Sequence, residues 1–278
     1  MSKNKNLTIK EIFSLAVKNH QEGKTDIAQE LYNQVLKINP NHEAALNNLG
    51  IVLKKLGQIQ KAKDCFKKAI EVNSDYLDPH YNLSTIFVEL KEYQKAKECF
   101  EKAIKINPNH EAALNNLGTV FYELGEMQKA KSCYEKAITI NPNYAHAHHN
   151  LGAIYLDLGE HPKAKNCFEK AIEIKPDLAD AYNNLGVICL DLKENQKAKE
   201  CYEKAIEINP NYQAALINRG KILFDKGEFE LSLIDFDNCN NFDSRSRALS
   251  SLYALGHIDE IYKRIKKNSQ LDEKNIRV

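Results

Sequence analysis

The chain has 278 residues, 43% hydrophobic and 28% charged, with a formal net charge of +1. That composition is globular, and its charge balance gives no overall pull toward nucleic acid or an anionic membrane. No run approaches the roughly 18 apolar residues that span a bilayer. The opening MSKNKNLTIKEIF carries lysines without a following apolar run, so no secretory leader is expected. After an N-terminal extension at 1–8, the predicted elements come as helix pairs with a period of 34 residues, in units 9–42, 43–76, 77–110, 111–144, 145–178, 179–212 and, more divergent, 213–246. The stretch EAALNNLG opens the second unit at 43–50 and returns letter for letter at 111–118, with relatives at 78–85, 145–152, 179–186 and 213–220.

Within 111–144 the first helix carries Leu114, Leu117, Gly118, Phe121 and Leu124, three and four apart. Gly125 ends it. The second carries Met127, Ala130, Cys133, Tyr134, Ala137, Ile138 and Ile140, and the NPN at 141–143 closes the unit, with Asn143 placed to cap the next helix. Gly118 and Ala130 let the two helices approach closely. One such hairpin cannot bury its apolar face alone, so neighbours stack into a solenoid. Cys65, Cys99, Cys133, Cys167 and Cys201 fall one per unit beside an aromatic. Equivalent residues of stacked helices lie about 8–10 Å apart, too far for a disulfide, so these are expected to be buried thiols in a reducing cytoplasm. In the seventh unit Leu231, Leu233, Ile234 and Phe236 widen the apolar face of the second helix. A degenerate capping hairpin and tail at 247–278, broken around Gly256, is expected to cover it.

The pattern resembles the tetratricopeptide repeat, whose signature is W-x₂-L-G-x₂-Y, A-x₃-F and a closing proline. In 145–178 the matching residues are Leu151, Gly152, Tyr155, Ala164, Phe168, Ala171 and Pro176, and the resemblance covers 9–246. The tryptophan position holds Leu46, His80, Leu114, His148, Tyr182 and Leu216 instead, with Ser84 for one glycine and Ser74 for one proline. The resemblance implies an all-α fold, a right-handed superhelical α-solenoid of helix–turn–helix repeats whose first helices line the concave side.

One asparagine recurs in the first helix of successive units: Asn48, Asn82, Asn116, Asn150, Asn184 and Asn218. At 100° per residue it points away from the partner helix. Around it lie Tyr122, Leu156, Leu190 and Phe224, histidines His146 and His149, and an acidic row of Glu89, Glu123, Asp157, Asp191 and Asp225. The outer face of the second helix is different in kind, with long side chains of mixed sign such as Lys97 and Glu101 at i,i+4. Apolar groups rimmed by charge mark a binding surface. A carboxamide both donates and accepts, so a row of them can hold an extended peptide by its backbone. Each Asn lowers helix stability by roughly 0.5–0.7 kcal/mol against Ala, which argues for a use. The row resembles the asparagine ladder in the repeat region of the O-linked N-acetylglucosamine transferases.

These readings predict a non-catalytic protein-interaction scaffold whose partner is a protein or peptide in extended form, basic and apolar in character. No cofactor and no metal is expected, His146 and His149 being read as peptide contacts. No P-loop, H-E-x-x-H, G-x-S-x-G or CxxC occurs. The alternative is the substrate-recruiting region of a larger protein-modifying enzyme. A helical-repeat RNA binder would need a basic groove, which the acidic row opposes. The lysines of a carboxylate clamp are missing, since Ile51, Tyr81, Thr85, Asn115 and Thr119 stand at such places.

Overall fold

The protein, described here from a computed structural model, is placed for residues 7–239 and 241–275, with side chains as far as Lys266. Residues 1–6 of the N-terminal extension and 276–278 of the tail lie outside the described residues. The described residues form an all-α repeat fold of sixteen helices: α1 (Ile9–Gln21), α2 (Thr25–Ile38), α3 (Glu43–Lys55), α4 (Ile59–Val72), α5 (Leu77–Glu89), α6 (Tyr93–Ile106), α7 (Glu111–Glu123), α8 (Met127–Ile140), α9 (Ala145–Asp157), α10 (His161–Ile174), α11 (Ala179–Asp191), α12 (Asn195–Ile208), α13 (Gln213–Asp225), α14 (Phe229–Asp237), α15 (Phe242–Ala254) and α16 (Ile258–Asn275). The chain divides into two compact units, Met1–Pro142 and Asn143–Val278. In each, helices pack against their hairpin partner and against the next hairpin.

The hairpins close because one small residue meets one ring. A Cβ on Gly118 would stand 2.6 Å from the Tyr134 ring, and one on Gly186 would stand 2.5 Å from that of Tyr202. Phe66, Phe100, Phe168 and Tyr202 are fully buried, the three phenylalanines each contributing about 1.5–3 kcal/mol of burial. Turns between paired helices place one residue in the left-handed region. Gly125 serves at φ +76°, but Lys91 and Lys193 adopt φ 57° and 61° where a glycine is cheaper.

Helix starts differ from the sequence expectation. Thr8 and Glu11 form a capping box on α1, and its bonds hold the Glu11 carboxyl below the usual range. His42 and His110 cap α3 and α7 through Nδ1, accepting from Ala45 at 3.3 Å and Ala113 at 3.2 Å. The N-cap of α9 is Tyr144, whose side chain does not cap the helix, rather than Asn143. The interhelical asparagines close turns instead: Asn107 Oδ1 accepts from the backbone of Asn109 at 3.0 Å.

Three further expectations are corrected. Of the repeating cysteines, Cys65, Cys99, Cys167 and Cys201 are half-buried and Cys133 alone is buried. Each precedes the buried ring, so it sits about 100° around the helix, at the border of the seam. Lys97 turns from Glu101 to the next hairpin, its Nζ 3.6 Å from Glu126 and 5.3 Å from the Phe121 ring centroid. There it gains a carboxylate and an aromatic face together. Finally, α14 is short, and α15 packs on its Ser232 and Phe236 side, with Ser232 and Ser251 hydroxyls 3.2 Å apart. Leu231 and Ile234 therefore stay 51% and 55% exposed instead of being covered.

Candidate functional site

The asparagines of the row are half-buried in the first helices, at Asn48, Asn82, Asn116, Asn150, Asn184 and Asn218. Helix geometry alone leaves them turned from the hairpin partner, yet their amides are not idle. Asn82 Nδ2 donates to Asn47 Oδ1 at 3.0 Å, and Asn116 Nδ2 donates to the Tyr81 hydroxyl at 3.1 Å. Asn184 Nδ2 reaches His149 Nε2 at 3.3 Å, and Asn218 Nδ2 reaches Asn183 Oδ1 at 3.5 Å, the edge of bonding range. In each case the partner lies 35 residues earlier, in the preceding repeat of the same unit.

The oxygen ends are held from the neighbouring residue. Asn47, Asn115 and Asn183 donate to Asn48, Asn116 and Asn184 at 3.3, 3.2 and 3.3 Å. His149 Nδ1 lies 3.2 Å from Asn150 Oδ1. Sequence reasoning passed over Asn47 and Asn183 and gave Asn115 and His149 no linking role, though the doubled NN of EAALNNLG carried the signal. Asn47 and Asn115 are buried, at 2% and 5% exposed, and a buried amide is tolerated when it is bonded on both sides. A carboxamide has two donors and two acceptor lone pairs. With one bond donated and one accepted, Asn116 and Asn184 thus each have capacity for one further donor and one further acceptor bond.

The residues flanking the row fall into place unevenly. Tyr122 is 39% exposed beside it. Glu89, Glu123, Asp157 and Asp191 stand exposed at the last turns of α5, α7, α9 and α11. Their charge is partly countered: Lys54 Nζ is 2.7 Å from Glu89 and His161 Nδ1 is 3.8 Å from Asp191. The Tyr93 hydroxyl faces Glu123, and burial with that carboxylate pushes its ionisation up. His146 is exposed and stacks edge-on against Tyr144 at 6.1 Å, while His149 is half-buried and 5.6 Å from the Phe168 ring. Burial holds both imidazoles below the usual histidine range, with Lys175 adding to the effect at His146. His146, His149 and Asp180 do not form a metal-binding group, and none of three or more such side chains occurs among the described residues.

At the aromatic position His80 is buried, its Nε2 donating to the Ser74 carbonyl at 2.9 Å, so two departures from the repeat pattern answer each other. A cavity of about 630 Å³ opens among α10, α11 and α12, lined in part by Tyr182, Cys189 and Cys201. None of the row's asparagines lines it, so it carries no argument about the row.

The tetratricopeptide-repeat profiles match residues 43–76 and, in overlapping blocks, 75–143, 109–177 and 144–211. Among solved structures, MamA is 30% identical, with 59% of this chain and 96% of that one aligned at a TM-score of 0.54. YrrB, a TPR protein with an unusual peptide-binding site, is 26% identical over 66% of this chain and 95% of its own, at a TM-score of 0.54. A tetratricopeptide repeat protein from Parabacteroides merdae covers 88% of this chain and 98% of its own at 19% identity and a TM-score of 0.69, a likeness of fold. No curated protein matches the chain. These profiles together span residues 43–211, more than half of the chain, and the chain belongs to the tetratricopeptide-repeat family.

Proposed function

We propose that within each compact unit the asparagine face of the first helices holds a segment of a partner protein as an extended peptide, gripping its backbone with the repeated amides. Membership of the family makes the chain a protein–protein interaction scaffold. The finer reading rests on one observation: the amides of the row are pinned by cross-repeat bonds while Asn116 and Asn184 have capacity for one further donor and one further acceptor bond. Amides held in place before the ligand arrives lose less side-chain freedom on binding. Asn48, Asn82, Asn116, Asn150, Asn184 and Asn218 would make the backbone contacts. Tyr122, His146 and His149 would line the guest's side chains, and Glu89, Glu123, Asp157 and Asp191 would favour basic ones. YrrB's peptide-binding site is a precedent within the family at 26% identity. The reading includes no catalysis, no nucleic acid and a cytoplasmic setting. No described helix is long and apolar enough to cross a membrane.

The test is a selection of binders from a random peptide library, followed by replacement of Asn116, Asn150 and Asn184 together with Ala. Each lost ladder bond removes about 0.5–1.5 kcal/mol, and each Ala returns roughly 0.5–0.7 kcal/mol of helix propensity. These three side chains make at least five of the bonds described above, so the melting temperature should fall by several degrees, while affinity for selected peptides, measured well below the melt, falls at least about tenfold, the equivalent of 1.4 kcal/mol. Unchanged affinity, or selected peptides that bind as helices, overturns the reading.

A further inference from the structure

In the second unit five side chains bond head to tail. Asn218 Nδ2 donates to Asn183, Asn183 Nδ2 to Asn184 at 3.3 Å, Asn184 Nδ2 to His149 Nε2 at 3.3 Å, and His149 Nδ1 to Asn150 at 3.2 Å. Both cross-repeat donors point back by 35 residues, and both neighbour donors point forward by one. A carboxamide has one oxygen end and one nitrogen end, so each link sets the orientation of the next. The imidazole relays this order in one state alone, neutral with its proton on Nδ1, because Nε2 must accept. A second proton would set an Nε2–H against the Asn184 N–H. Relief requires Asn184 to turn over, which brings its nitrogen against that of Asn183. Asn183 and then Asn218 must turn as well. Protonation thus either breaks a bond or reverses three amides together.

The other repeats supply the comparison. The link position holds Asn47, Tyr81, Asn115, His149 and Asn183. Of these residue types, histidine is the one that changes charge near neutral pH. Asn47 performs the same relay without a titratable group, accepting from Asn82 at 3.0 Å and donating to Asn48 at 3.3 Å. The charged and titratable groups facing His149 are His146 on its own helix, which opposes a proton, and Asp180 on α11, which favours one. From α10 it meets the uncharged ring of Phe168. Burial outweighs Asp180, and the neutral form prevails.

We propose that His149 is the proton-sensitive link of the amide row: neutral, it holds Asn184, Asn183 and Asn218 in one polarity, and protonation disrupts that order. The inference concerns regulation of the face proposed above to bind peptide, and rests on that reading for its biological use, but the bonds are internal and are tested without a ligand.

His149→Asn keeps the relay, as Asn47 shows, and removes the titration. A histidine protonated less readily folded than unfolded stabilises the fold above its ordinary pKa of about 6.5, and that stability is lost as pH falls through this value. Thermal melts of the full chain at pH 7.5 and pH 5.5 should show a drop in melting temperature for the native protein that His149→Asn does not share in full. Other histidines titrate in both and cancel. Equal pH slopes overturn the proposal. Nitrogen-15 NMR of the native imidazole provides a second measurement that needs no variant. A neutral ring protonated on Nδ1 and titrating below the ordinary range is expected, and protonation on Nε2 or ordinary titration refutes the link. If peptides fail to bind at every pH while the tautomer is as described, the functional reading falls and the link stands. If peptides bind and the tautomer is wrong, the reverse holds.

Discussion

At the scale of single residues, the recurring asparagine answers to two demands. Its helix propensity is mediocre, and the bonds to a residue 35 positions earlier compensate by tying one repeat to the next. The glycine two residues on answers to a simpler one. Tyr134 is 3% exposed and its hydroxyl donates to Thr119 at 3.3 Å, so the ring has little room to yield. Gly118→Ala should therefore destabilise the protein by about 1–3 kcal/mol, read by chemical denaturation, as overpacked cores do. A neutral result would mean that the hairpin opens more easily than its geometry indicates. The position of Gly118 was legible from the repeat pattern. The bonds of Asn116 were not, because hydrogen bonding across repeats depends on displacements of a fraction of an ångström.

Elements carry their own tests at their ends and at their exceptions. Lys193 is exposed and sits at φ 61° in the turn between α11 and α12, where Gly159 and Gly227 serve the neighbouring hairpins. Replacing it with glycine removes a left-handed strain of about 1–2 kcal/mol and adds unfolded-state entropy, for a net gain of up to about 1 kcal/mol in a denaturation midpoint. In the last hairpins an ion pair takes over a seam that is apolar elsewhere. Arg219 stands where other repeats have leucine, and Asp235 where the second to sixth have cysteine. The guanidinium grips the carboxylate twice, at 2.9 and 2.6 Å, with Asp235 1% exposed. Arg219→Leu alone strands a buried carboxylate and should lower stability by about 3–5 kcal/mol. Adding Asp235→Cys restores the residue pair of the earlier repeats, and the double variant should come back to within about 1 kcal/mol of the native protein. If the double variant is no better than the single one, the two positions are not coupled. Either change alone breaks the repeat pattern in the sequence, yet their contact became visible only when α13 and α14 were placed side by side.

For the whole molecule, repetition makes one property recur along the chain. Burial pushes the thiols of Cys65, Cys133 and Cys167 up to about 11. Because the thiolate is the reactive form, alkylation of the folded protein by iodoacetamide should be slow at pH 7.5, quickening about tenfold per pH unit toward that value. Fast labelling at neutral pH would show the borders of the seams to be open. Amino-acid sequence alone determined the 34-residue period, the all-α class and the small residue that lets paired helices approach closely. Those follow from periodicity and side-chain volume, which act within a single hairpin. It did not determine that the amides bond backward through Asn47, Tyr81, His149 and Asn183, that Lys97 abandons Glu101 for Phe121, or that Leu231 and Ile234 stay open. These were decided by tertiary structure, because each depends on how neighbouring hairpins meet, and residues some 30 positions apart compete there for the same donor, ring or face.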